Sequence, residues 1–182
     1  CIRRLGTNHQ EEVLVAWGLL DTVDEELCRL FGAEVCEDSV QLPDLLELSI
    51  WVEKLIVAGA GWYRQAYYPA EARIDRRSID DLADEIVQEF VDGPVRPGII
   101  GEIGCSWPLQ DDEARALRAA ARAQVATGMA ISVHPGRDRA APRQIVEILT
   151  AAGADLRRVV IGHLDRTVQD LAGLAQIAEA GP

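Results

Sequence analysis

Three residues of this chain carry side chains that bind divalent metal ions, and their spacing is nearly even: Glu102, His134 and His163. The intervals are 134 − 102 = 32 and 163 − 134 = 29 residues, each about the length of one βα unit. Each residue sits at the end of a short apolar run, in Gly-Glu102-Ile-Gly, Val-His134-Pro-Gly and Gly-His163-Leu-Asp165. If the runs are neighbouring parallel strands, their carboxyl ends face one rim, and strands roughly 5 Å apart let the three side chains meet at one ion. A carboxylate and two imidazoles suit zinc or a similar divalent cation, which lowers the pKa of bound water until hydroxide is available near neutral pH. A single strand-end histidine is ordinarily a satisfied core residue. Two of the chain's three histidines at equivalent strand ends, with a glutamate at another, favour the metal reading. His9, in Thr-Asn-His-Gln, lies outside the repeat and reads as an exposed residue.

The elements that must position these residues alternate from residue 55 onward. Apolar runs at 55–60, 98–103, 129–133 and 158–161 read as strands, continuous as expected when both faces of a parallel sheet are covered. Helical stretches follow them at 78–90, 111–127, 142–152 and 168–180. Ser78 supplies an N-cap with acids behind it, and Gly128 and Gly153 close the second and third helices. This alternation predicts an α/β fold with a parallel sheet, either open and doubly wound or part of a barrel. No GxGxxG follows a strand and no Walker loop occurs, so the nucleotide-binding versions lose weight. Before residue 55 no clear strand stands out; 24–31 and 42–55 are candidate helices. Residues 1–45 form an unassigned N-terminal segment, mostly helical or irregular, and 46–182 form the domain with the repeat.

With 182 residues, 48% hydrophobic and 26% charged, the chain is long and apolar enough for one domain with a core, unlike a disordered segment. A net charge of -12 argues against nucleic acid as a partner. Residues 1–54 hold 12 acids and 4 bases, net -8, which leaves -4 for the remainder. Of the 18 basic residues 17 are arginine, and Lys54 is the one lysine. Cys1, Cys28, Cys36 and Cys105 form no CxxC pair and read as reduced thiols of a cytoplasmic protein. No apolar run approaches the ~18 residues of a membrane span, and no signal peptide opens the chain. The first residue is Cys rather than Met, so the chain is expected to be incomplete at its start.

Several longer segments carry the metal-type residues: Gly98-Ile-Ile-Gly-Glu-Ile-Gly-Cys-Ser-Trp-Pro-Leu109, Ser132-Val-His-Pro-Gly-Arg137 and Gly162-His-Leu-Asp-Arg-Thr167. With Val57-Ala-Gly-Ala-Gly-Trp-Tyr63, Ala119-Ala-Ala-Arg-Ala-Gln124 and Gly153-Ala-Asp155, they resemble the phosphotriesterase-related proteins of the amidohydrolase superfamily. The similarity covers about residues 46–182, and the ordered combination is specific where any one motif would be weak. The resemblance implies a (β/α)8 TIM barrel with two metals, usually zinc, at the carboxyl-end rim, and a bridging hydroxide that attacks a carbonyl or phosphoryl centre. By the same resemblance Glu102 bridges the two metals, and His134 and His163 hold the more exposed one. Some relatives bridge with a carboxylated lysine; Lys54 lies well before that strand, so the glutamate form agrees with this sequence. The family also uses a His-x-His pair on its first strand and an aspartate after its eighth, and this chain contains neither. What it does contain looks like about strands three to six of the barrel, a fragment. A homodimer is the family expectation.

Other residues near the motifs have weaker claims. Tyr63 matches a position where, in related lactonases, a tyrosine points at the substrate and the metal centre; otherwise it is a loop aromatic. Arg137 is placed to meet a substrate anion such as a carboxylate or sulfonate, or to form a surface ion pair. Asp165 is a candidate to orient a ligating histidine or to cap the next helix, and Arg166 to pair with an acid or touch substrate. Cys105 and Trp107 lie next to the metal rim; the resemblance leaves Cys105 structural, and the Ala-rich helix 114–126 reads as packing. The reading that follows is a zinc-dependent hydrolase acting on an ester, lactone, amide or phosphoester of a small molecule, with a carbonyl centre favoured. The alternative is a catalytically inactive product or binding remnant that holds at most one metal.

Overall fold

Among the helices, Asp111–Thr127 shows most clearly how sequence becomes structure. Alanine, leucine and arginine favour the helix, and Asp111, Asp112 and Glu113 place negative charge at its positive end. Gly128 ends it in the left-handed region, φ 71°, with its N–H donating to Gln124 O. Its buried side is mostly small, from Ala116 through Leu117, Ala119, Ala120 and Ala121 to Ala123, all fully buried. Small side chains let the helix approach the sheet closely, which packs it on two strands and two neighbouring helices.

This computed structural model describes residues 57–68, 70–93 and 96–182, together with two short strands, β1 (Arg3–Leu5) and β2 (Glu11–Val13). The main sheet has four parallel strands: β3 (Gly59–Ala60), β4 (Ile99–Gly104), β5 (Ile131–His134) and β6 (Val159–Ile161), in the order β3-β4-β5-β6. Helices α1 (Ile79–Asp92), α2 (Asp111–Thr127) and α3 (Ala141–Ala151) follow β3, β4 and β5 in turn. After β6 come α4 (Leu164–Thr167) and α5 (Leu171–Ala180). In α1 the Ser78 hydroxyl accepts from Asp81 N at 3.0 Å while the Asp81 carboxylate accepts from Ser78 N at 3.1 Å, a reciprocal cap.

The helices pack in a row, α1 on α2, α2 on α3 and α3 on α5. One side of the sheet feeds the core beneath them: Ile131 and Val133 on β5 are fully buried, and their register partners Val159 and Ile161 on β6 are 4% and 8% exposed. The alternate residues lie on the other side. Ser132 is half-buried and its register partner Val160 is 56% exposed.

Three features differ from the sequence reading. A pair of strands precedes residue 55: Arg3–Leu5 runs antiparallel to Glu11–Val13, with Arg4 opposite Glu12. Three-residue strands rich in charge carry too little alternation to be recognised. The helix expected at 168–180 begins at Leu171 as α5, because the Asp170 side chain accepts from Gly173 N at 2.7 Å and caps it there, and a separate short helix, α4, precedes it at Leu164–Thr167. Of the run 55–60 only Gly59–Ala60 pairs as strand, and residues 55 and 56 lie outside the described residues. The candidate helices 24–31 and 42–55, His9, Lys54, Cys1, Cys28 and Cys36 also lie outside them. Among the described residues no helix is long and apolar enough to cross a membrane.

Candidate metal centre

Glu102 reaches the site through an irregularity in β4. Ile100 pairs with Ile131 and Ile103 with Val133, so two residues, Gly101 and Glu102, oppose Ser132 alone. Side chains alternate along a regular strand, and Ile100 is buried on the helix side; without the extra residue Glu102 would share that side. The bulge turns it to the face that carries Ser132 and His134. Only glycine fits at the bend. Gly101 has φ +120°, and a Cβ there would lie 2.3 Å from the Ser132 carbonyl oxygen.

His134 is the last residue of β5 and lies beside Gly104 of β4. His163 follows β6 after Gly162, whose would-be Cβ lies 3.6 Å from Glu102 Oε1. His163 has left-handed backbone, φ 53° and ψ 28°, at the start of α4, and its side chain caps nothing. Such conformations cost free energy for a residue other than glycine and concentrate at functional sites.

The three side chains converge. One ligand-type atom from each of Glu102, His134 and His163 lies within 4.8 Å of the others. The two imidazole rings meet edge to face with centroids 4.6 Å apart. His134 Nδ1 is 3.6 Å from Glu102 Oε2, too far for a hydrogen bond, and it is buried with no hydrogen-bond partner. A buried polar atom left unpaired costs about 1–3 kcal/mol, and a divalent cation shared with the carboxylate would remove that cost. Burial, and next the neighbouring His134, hold the pKa of His163 below its usual value, which favours the neutral imidazole that can ligate.

Tyr63 borders the cluster, its ring 5.2 Å from that of His134 in an edge-on contact. Burial, and next the Glu102 carboxylate, push its phenol up to about 12, while the charges of Arg64 and Arg137 oppose the shift. Tyr63 is therefore a neutral O–H donor across the ordinary pH range. Arg137 is exposed beyond Pro135 and Gly136 and makes no ion pair among the described residues. Asp165 lies in the first turn of α4 with no hydrogen bond to His163 among the described residues, and Asp170, not Asp165, caps α5. Cys105 is a buried free thiol, outside the ligand cluster, held well above its usual pKa by burial.

One group escaped the sequence reading. Glu113, fully buried in the first turn of α2, accepts four hydrogen bonds: Gln65 N at 3.0 Å, Ser106 N and Ser106 Oγ at 2.7 Å each, and Gln110 N at 3.2 Å. It ties the loop after β3, which carries Tyr63, to the loop after β4. In sequence it looks like any acid at a helix start, and nothing in its spacing marks the bonds.

The chain has similar sequences and folds among known proteins. The N-acetyltaurine hydrolase of Mus musculus is 44% identical over 130 residues, covering 69% of this chain and 37% of that protein. The N-acetyltaurine hydrolase of Danio rerio is 35% identical over 185 aligned positions, covering 96% of this chain and 52% of its own length. The chain thus spans about a third to a half of the curated relatives it matches. Among solved structures, a resiniferatoxin-binding protein from Rhodobacter sphaeroides superposes with a TM-score of 0.69 at 38% identity, over 76% of this chain and 39% of that one. The phosphotriesterase homology protein from Escherichia coli, crystallised with phosphate in its active site, superposes with a TM-score of 0.68 at 28% identity, over 79% of this chain and 50% of that one. The phosphotriesterase family model matches residues 37–182, beginning upstream of the first recognisable motif, and on that extent of agreement the chain belongs to the phosphotriesterase family.

Proposed function

We propose that this chain is the central part of a zinc-dependent hydrolase that cleaves the amide bond of small N-acyl compounds bearing an anionic group. The observation that carries the reading is the convergence of Glu102, His134 and His163 within 4.8 Å, with His134 Nδ1 buried and unpartnered. The family is metal-dependent, and its relatives here are N-acetyltaurine hydrolases. In this reading Glu102, His134 and His163 would together hold the zinc. Bound metal supplies Lewis acidity and a water acidic enough to act near neutral pH.

The chain's own groups do the rest. Tyr63, neutral and beside His134, donates a hydrogen bond to the substrate carbonyl oxygen as negative charge gathers there. Arg137 faces the anionic end of the substrate. The chain forms about the third to sixth strands of a (β/α)8 barrel. That placement is supported by a strand order that follows the sequence, by helices packed in a row, and by Val160, an apolar strand residue lying bare on the opposite face.

The test uses the intact protein, purified with zinc or manganese, assayed for metal content and for hydrolysis of N-acetyltaurine. Glu102→Ala is expected to lower both. Full metal content and turnover in that variant would remove the assignment.

A further inference from the structure

In a chain with 30 acids and 18 bases, seven of the fourteen arginines from residue 57 onward form ion pairs with the following acids. Arg73 and Arg76 meet Asp75, Arg77 meets Glu85, Arg122 meets Asp80, Arg139 meets Asp170, Arg143 meets Glu147 and Arg157 meets Asp155. Arg64 and Arg137, beside the ligand cluster, are ion-paired with nothing among the described residues. Arg64 is half-buried next to Tyr63, and its Nε donates to Ser106 Oγ at 3.2 Å. Ser106 is itself fixed, because both its N–H and its hydroxyl donate to the buried Glu113 carboxylate. The loop that carries Arg137 presses on the same serine: a Cβ at Gly136 would lie 2.5 Å from the Ser106 carbonyl oxygen. The two arginines are thus carried by loops that meet at Ser106, and both of their charges bear on the Tyr63 phenol.

We infer that Arg64 and Arg137, seated on either side of Ser106, form an anion subsite that holds the sulfonate or carboxylate of the substrate and selects charged amides over neutral ones. The inference deepens the proposed hydrolase by assigning Arg64, Ser106 and Glu113 to substrate selection. With its Nε fixed on Ser106, Arg64 keeps its terminal N–H groups for an oxyanion, and little side-chain freedom is lost on binding. Glu113, the nearby negative charge, is already shared among four donors of the protein. It positions Ser106 and touches no substrate.

The experiment compares two amides on the intact, metal-loaded protein: N-acetyltaurine and N-ethylacetamide, which lacks the sulfonate. In Arg64→Gln the ratio of their kcat/KM values is expected to fall about tenfold or more, chiefly through KM for the charged amide, since one charge-assisted hydrogen bond is lost. Arg64→Lys is expected to recover part of that ratio. A ratio does not depend on how much of a variant is folded. If both amides lose rate equally in Arg64→Gln, the subsite is overturned while the hydrolase stands. Calorimetry with taurine gives a readout independent of turnover: binding by the unmodified protein and its loss in Arg64→Gln support the subsite even if neither amide is cleaved, and no binding by the unmodified protein overturns it.

Discussion

The two faces of one small sheet are built to opposite ends. Under the helices, Ile100, Ile103, Ile131 and Val133 are fully buried in one hydrophobic core. On the other face Glu102 and His134 stand with a buried nitrogen unpaired, and Val160 is 56% exposed. Residues that alternate along the same strands therefore serve stability on one side and chemistry on the other. The free energy that the first face gains is what allows the second to keep groups that cost free energy to hold together.

The comparison can be broken or sharpened by substitutions, taken from the largest expected effect to the smallest. Leu117→Ala, in the fully buried side of α2, is expected to lower the unfolding free energy by about 3–5 kcal/mol, read by chemical denaturation. His134→Ala strikes the other face. It should reduce turnover by more than the roughly hundredfold typical of an outer-sphere metal partner. The same change should shift stability by less than about 1 kcal/mol, because it also removes an unpaired buried nitrogen. A large loss of stability in that variant would show that the two faces are not separate. Val160→Ser, assayed in the intact protein, is expected to cost about 1–2 kcal/mol if a closed barrel covers the bare face, against less than about 0.5 kcal/mol for a surface site.

The smallest effect is a titration. Tyr63 is raised from the ordinary 10.0 to about 12, so at pH 10 it should give no phenolate absorbance, read as the difference between the protein and Tyr63→Phe. Because the folded form holds the proton more tightly, its contribution to stability is complete below 10.0 and is lost as pH rises through about 12. Half-ionisation of Tyr63 at 10.0 would place it in water rather than beside Glu102.

Much of this was legible in the residues. Ser78 with Asp81 marked where α1 begins, Gly128 marked where α2 stops, and strand-end Glu102, His134 and His163 marked a shared rim, because caps and periodicity are local. The bulge at Gly101–Glu102 was not read. Its one signal is that Ile100 and Ile103 are three apart where a regular strand would place them two apart, and a run read as uniformly apolar hides that. The left-handed His163 and the short α4 were also missed, since a polar residue after a strand carries no sign of its φ. Arg64, Ser106 and Glu113 were invisible for another reason: 42 residues separate the first two, and their bond exists only once the loops are folded together.

Glu113 has one more consequence. The amides of Gln65, Ser106 and Gln110 all donate to its carboxylate, though Gln65 starts a short turn and the other two lie in a loop. Amide protons at such places ordinarily trade with solvent within a fleeting opening, each on its own schedule. Here they share a single buried acceptor, so releasing any of them means withdrawing the same side chain, and the three should exchange for deuterium slowly and in concert.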